Sequence, residues 1–390
     1  MIPSDFSSTS PGRVLRTPKG YWAFMPNPLP PTIDWSTTLI STLGEAERNL
    51  GRLASLADTL PSPHILVRPF IRREAVLSSR IEGTRASLVD LYHYESAQLS
   101  FFEDTSDVRE VHNYVRALDY GLELSKTLPV SLRLIREIHG ILMEGVRGEH
   151  LTPGEFRRSQ NWIGPPGSTI ESATIVPPPV DEMYQALDAL EKFIHAPSDI
   201  PQLARAGLIH YQFEAIHPLL DGNGRVGRLL VILLLIQWGL ISQPLLYLSA
   251  FFEAHRLDYY DRLLAVSQRG EWEKWLLFFL KGVSSQSLDA ITRIERLGLL
   301  RNAYRERLRT ERAAARLLQT LDVLFERPIL NIRQLEAALN VTYRTAQRYV
   351  ERLQEIGILR EVTGQARNRL YRADEILQAL ESAGRSETET

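Results

Sequence analysis

Apolar residues recur at helical spacing over most of this chain, and that periodicity limits its fold more than any other feature. The patterns run approximately over 36–60, 65–82, 105–126, 131–145, 181–196, 202–217, 224–239, 254–267 and 272–325. Strand-like sequence is scarce within that span. The main exception is NWIGPPGSTIESATIVPPP, Asn161 to Pro179, where two short β-favouring pieces flank a Gly/Pro/Ser turn. That is a hairpin signal. The first stretch, to about Asp34, is rich in Pro, Gly and Ser and is expected to be mostly extended, with Trp22 and Phe24 as anchors. The longest apolar run, Leu229 to Ile236, is far short of the ~20 residues that a membrane span needs. A mainly α fold with no membrane partner is expected.

A length of 390 residues suggests two or three domains of about 100–200 residues each. An apolar fraction of 44% and a charged fraction of 24% are ordinary for a soluble globular protein. Zero cysteines rule out disulfides, thiol nucleophiles and Cys-ligated zinc, and fit a reducing cytosol. The opening MIPSDFSSTSPGRV lacks the basic region and apolar core of a signal peptide. The expected location is cytoplasmic. After about Glu311 the pattern changes: helix-like AAARLLQTLDVLF and IRQLEAALN precede VTYRTAQRYVERLQEIGIL, with Thr342 as N-cap and Ala346, Val350, Leu353 and Ile356 as an apolar face. Two short β-like pieces, ILREV and NRLYR, follow. Three helices and a two-stranded wing resemble a winged helix-turn-helix domain.

The segment FEAIHPLLDGNGRVGRLLVILLL, from Phe213 onward, carries the chemistry. A helix should end near Ile216 and His217, because the residue before Pro218 is pushed out of the helical region. A Gly-Asn-Gly turn follows, and a new helix starts near Gly224. Its first N–H groups are unpaired, and glycines let an anion approach them. Arg225 and Arg228, three apart, are expected on the same side of that helix start. Asp221 is a hard oxygen ligand suited to Mg²⁺ bound with phosphates. One loop thus combines a base, a metal ligand, an anion nest and two arginines. His210, about 10.5 Å of helix rise upstream, is too far to share a metal ion with His217 and reads as structural.

HPLLDGNGRVGR is similar to the signature of the Fic family, His-Pro-Phe-x-Asp/Glu-Gly-Asn-Gly-Arg-x-x-Arg. Every polar position matches, and Leu219 stands where the family usually has Phe. PFIRREAVLSSRIEGT and RRSQNWIG…VPPP resemble the N-terminal and flap segments of large Fic proteins. The resemblance covers approximately residues 20–300, with the winged helix a frequent companion. It implies AMP transfer from ATP to a Ser, Thr or Tyr hydroxyl of a target protein or of the chain itself. His217 would be the general base, and Asp221 would hold Mg²⁺. Gly222 and Gly224, with the Asn223 side chain, would stabilise charge on the α-phosphate. Arg225 would neutralise the phosphates and Arg228 clamp the γ-phosphate. The hairpin at 161–179 would add the target as an extra strand. The motif reads phosphates and not bases, so UTP, GTP and CDP-choline stay open as donors.

VLSSRIEGT, Val76 to Thr84, raises a separate question. Its helical spacing and Gly83 stop place Glu82 in a last turn, against the negative end of the helix dipole. Beside a Fic core, Ser78-x-x-x-Glu82-Gly83 matches the family's inhibitory motif. The resemblance implies that Glu82 pairs with Arg228 and blocks the γ-phosphate position, leaving ATP bound unproductively or not at all; Ser78, one turn before Glu82, could orient its carboxylate. Glu82 could also position a water for metal-dependent removal of AMP.

The expected organisation is an N-terminal segment with the inhibitory helix (1–104), a Fic catalytic core with a β-hairpin flap and helical extension (105–310), a winged helix-turn-helix (311–378) and a polar tail (379–390). From Thr342 to Arg372 there are seven arginines against three glutamates and no Lys or Asp, an excess of +4 in a chain of net charge −2. Tyr343, Arg344, Gln347 and Arg348 could read base edges, and Arg367 and Arg369 could hold phosphates. A DNA-binding regulator whose Fic core senses nucleotide is the competing function. A homodimer is the family expectation.

Overall fold

The computed structural model describes all residues except 61–62, 97–104, 166, 310–313 and 383–390. The chain opens with a hairpin, β1 (Gly12–Arg16) and β2 (Trp22–Pro26), paired antiparallel from Gly12↔Pro26 to Arg16↔Trp22. The N-terminal stretch is therefore more ordered than its Pro/Gly content suggests. Phe24 is fully buried, and Trp22 is 37% exposed.

Helices follow: α1 (Thr37–Thr59), α2 (Pro63–Ile81), α3 (Leu88–Glu95), α4 (Ser106–Leu124), α5 (Leu132–Leu142), α6 (Val180–His195), α7 (Gln202–Ile216) and α8 (Asn223–Gln237). The helix expected over 254–267 is α10 (Arg256–Arg269), preceded by a short α9 (Ser249–Ala254), and α11 (Trp272–Leu308) ends well before residue 325. The helix α3 escaped the periodicity reading because it is short. Its signal was a capping box, Ser87 and Asp90 each bonding the other's backbone N–H.

Ser36 caps α1 by accepting the Leu39 N–H, and Leu39, Leu43, Ala46, Leu50, Leu53 and Ala57 form the stripe that α1 buries, chiefly along α11. At the centre, α7 and α8 are apolar and buried almost all round, and they pack on one another. The loop between them carries His217.

The C-terminal region holds α12 (Ala314–Glu326), β3 (Ile329–Leu330), α13 (Ile332–Leu339), α14 (Tyr343–Glu355), β4 (Arg360–Glu361), β5 (Tyr371–Arg372) and α15 (Asp374–Glu381). The strands form an antiparallel sheet in the order β3-β5-β4. Thr342 caps α14 through the Thr345 N–H, and Ala346, Val350 and Leu353 are buried. The polar tail cannot start at 379: Ala379 and Leu380 lie in α15 and are buried. Residues 383–390 lie outside the described residues.

A single connected core runs from Leu39 in α1 to Leu380 in α15, so the segments expected at 1–104, 105–310 and 311–378 share it. A second, small cluster joins Met1, Ala23 and Phe24 to Ala173 and Val176. It backs the 161–179 segment, whose ladder is a single bridge, Ile163↔Ile175, rather than paired strands. Among the described residues, no helix is long and apolar enough to cross a membrane.

Candidate active site

Pro218 prevents α7 from continuing, and the chain leaves it at His217 with φ 49° and ψ 59°, the left-handed region. That conformation costs a non-glycine residue roughly 1–2 kcal/mol. It is held from outside: the His217 carbonyl accepts from Arg157 Nε at 3.0 Å and Asn161 Nδ2 at 3.1 Å. Arg157, fully buried, also donates to the Ser159 and Pro178 carbonyls. The loop is thereby bolted to the stem of the 161–179 segment. Leu219 is fully buried and anchors the loop in the core.

The imidazole of His217 has its Nδ1 3.2 Å from the Glu214 carbonyl oxygen. A carbonyl only accepts, so Nδ1 carries the hydrogen and Nε2 keeps its lone pair. Burial pushes the His217 pKa down to about 4, and the Arg157 guanidinium adds to this. The ring is neutral at pH 7.

Gly222 (φ 80°) turns the chain into α8 with no side-chain cap on that helix's N-terminus. The Asp221 carboxylate accepts the Gly222 N–H at 2.6 Å and lies 3.6 Å from Arg225. Asn223 is placed differently from expectation. Its amide bonds both backbone groups of Leu219, at 2.9 and 2.8 Å, so it closes the turn instead of facing an anion. The Gly222 N–H is likewise committed to Asp221. The open nest is the first turn of α8 beyond it, at Gly224 and Arg225.

The two arginines diverge. Arg225 bonds Glu110 of α4 at 3.0 Å and touches Met143, with its edge toward Asp221. Arg228 turns to α2: Nε donates to Ser78 Oγ at 2.8 Å, and Nη2 donates to the Ser78 carbonyl at 2.9 Å and to Glu82 Oε1 at 2.7 Å. Ser78 thus orients the arginine and not the carboxylate, because the guanidinium lies between them. A left-handed Gly83 (φ 103°) ends α2, with the Thr84 N–H returning to the Ser79 carbonyl. Glu82 projects from this stop over α8. A Cβ at Gly224 would overlap Glu82 Oε1, so glycine is what admits the carboxylate. Burial opposes charge on Glu82, but Arg228 outweighs it and holds the pKa below the usual carboxylate value.

His210 is fully buried, bonds Tyr259 at 2.8 Å and stacks among Phe252, Tyr259 and Trp275. Sequence reasoning missed Glu110, Arg157 and Asn161 as supports of the loop. The RRSQNWIG segment held two of them, but nothing local linked Glu110 to Arg225.

Residues 40–123 match the model of the Fic/DOC family N-terminal region and residues 129–235 that of the Fic/DOC family. A protein adenylyltransferase Fic from Aedes aegypti is 29% identical over 218 residues, 54% of this chain and 39% of the relative. Another from Culex quinquefasciatus is 28% identical over 259 residues, 62% of this chain and 47% of the relative. The chain spans less than half the length of either. A Fic family protein from Desulfovibrio desulfuricans G20 has a similar fold, with TM-score 0.55 and 18% identity, covering 88% of this chain and 98% of its own.

Proposed function

Through these two regions the chain belongs to the Fic/DOC family, and on that premise we propose that it is an autoinhibited protein adenylyltransferase. It transfers AMP from ATP to a Ser, Thr or Tyr hydroxyl of a target protein or of itself. The observation that carries this reading is the neutral His217 ring, its Nε2 lone pair free, beside the uncapped start of α8. The acceptor oxygen bonds to the α-phosphorus as the bond to the β-phosphate oxygen breaks, pyrophosphate leaves, and the acceptor's proton passes to His217 Nε2. An arriving polyphosphate raises the imidazole pKa toward the working pH, since a nearby negative charge favours the protonated ring. The N–H groups of the first turn of α8 stabilise charge developing on the α-phosphate. Arg225, already engaged with Glu110, acts by holding Asp221 in place.

Among the described residues, no group of three or more His, Asp or Glu forms a metal cage. One carboxylate fits Mg²⁺ when phosphates complete the shell, so Asp221 would hold the ion, which would neutralise charge on the α- and β-phosphates. Glu82 occupies Arg228, the proposed γ-phosphate clamp, and keeps the resting chain inactive.

Incubation with labelled ATP tests the reading. Glu82→Gly is expected to label itself strongly, and adding His217→Ala to cut labelling by about 10²–10⁴-fold. Undiminished labelling of the double variant would refute the mechanism. Intact mass after exposure to a nucleotide mixture identifies the group transferred.

A second reading is favoured by one surface. Arg344 and Arg348 on α14 and Arg367 before β5 are exposed, beside exposed Tyr343. That face suits a winged helix-turn-helix on duplex DNA, with the core sensing nucleotide. A mobility shift that collapses with salt while AMP transfer stays absent would favour it.

A further inference from the structure

Two carboxyl groups lie against α8 one turn apart. A Cβ at Gly224 would overlap Glu82 Oε1 and crowd Arg228 Nη1, while a Cβ at Gly227 would overlap Glu214 Oε1 and crowd the His210 ring. Residues three apart share a helix face, so the two carboxyls follow one another along a glycine-lined strip, with Arg228 beside both. Besides His210 Nδ1, two atoms of that strip are buried without a hydrogen-bond partner among the described residues, Glu214 Oε1 and Arg228 Nη1. Buried polar atoms are rarely left this way, and an anion with several oxygens would satisfy both if Glu214 carried its proton.

We propose that Glu214 is an additional nucleotide-site residue. Its carboxyl, protonated against Gly227, donates a hydrogen bond to the phosphate group that takes Arg228 once Glu82 has withdrawn, and its ionisation excludes that group. The assignment rests on the autoinhibition reading above.

The groups facing the Glu214 side chain are Arg228 on α8, Glu82 on α2, Tyr259 on α10, and His210 and His217 on α7. Glu74 on α2 also faces Arg228. Burial pushes Glu214 up to about 8, more than Arg228 pulls it down. Burial holds His210 near 3 and His217 near 4, pushes Tyr259 far up, and leaves Glu74 titrating near 7. Of these groups, Glu214 is the carboxyl that titrates highest, about a unit above Glu74.

Calorimetric titration of the full chain with ATP, without added metal, tests this. Glu82→Gly should bind ATP more tightly than wild type at pH 7.5 and then lose up to about tenfold in affinity per pH unit above 8. Adding Glu214→Gln, which keeps a donor but cannot ionise, should hold the affinity level to pH 9.5. Adding Glu214→Ala should also level it, several-fold weaker. The same alkaline loss in the Gln variant, or no loss in Glu82→Gly, would overturn the assignment. Equal self-labelling of wild type and Glu82→Gly with ATP would sink autoinhibition instead, and Glu214→Gln in the wild-type chain then decides by its own pH profile.

Discussion

The first two turns of α8 hold two buried arginine–carboxylate pairs that look alike on paper and differ in kind. Arg225 meets Glu110 in the body of α4, and the two side chains are 2% and 4% exposed. Arg228 meets Glu82 beyond the end of α2, where the carboxylate is 30% exposed. Electrostatics divide them the same way. Burial pushes Glu110 up despite Arg225 and Arg147, with Asp221 and Asp107 adding to the rise. Glu82 is held down, because Arg228 both faces it and donates to it. The first pair is closed inside the core; the second has one partner partly open to solvent.

The sharpest way to break this contrast is to remove each acid. Glu110→Ala leaves buried Arg225 with only Asp221, 3.6 Å away, and a loss of up to about 3–5 kcal/mol is expected in denaturant unfolding. Glu82→Gly should cost less, since its carboxylate is 30% exposed although Arg228 is buried, while raising self-labelling. If Glu110→Ala unfolds no earlier than Glu82→Gly, the two pairs are equivalent and the contrast fails. Ser78→Ala sharpens it further. Loss of the 2.8 Å bond to Arg228 Nε should weaken the latch by about 1 kcal/mol, with labelling intermediate between wild type and Glu82→Gly.

The smallest effect concerns pH. The Glu82 pKa is depressed in the folded chain, so its contribution to stability is full above its unfolded value of 4.5 and is lost as pH falls through the lower folded value. Thermal melts between pH 6 and 8 should show no change owing to Glu82. Wild type and Glu82→Gly should converge only below about pH 4.5.

The sequence made the helices legible because apolar spacing is a local signal, and it made the His217 loop legible because its residues are contiguous. Ser78 and Glu82 were legible as a motif, but not which of them the arginine would bond first. Arg225 and Arg228 read as two phosphate ligands because their spacing puts them on one side of a helix. Their partners come from α4 and α2, 115 and 146 residues away, and spacing within one helix carries no trace of them. Asn223 shows the same limit at short range: its side chain satisfies Leu219, a need that appears only once the turn is built. The β1–β2 hairpin was hidden because its pairing rests on a small cluster shared with the 161–179 segment.

The setting of α2 has a consequence for how the chain can respond. This helix is packed among α4, α9 and α12, with Glu74 bonded to Tyr114 and Ser249 in its interior. Sliding it out would dismantle that contact set. Rotation of the Glu82 side chain, 30% exposed, about its own torsions is the cheaper coordinate. The proposed switch, built this way, would keep no memory of its previous state: its setting at any moment would follow whatever competes for the guanidinium.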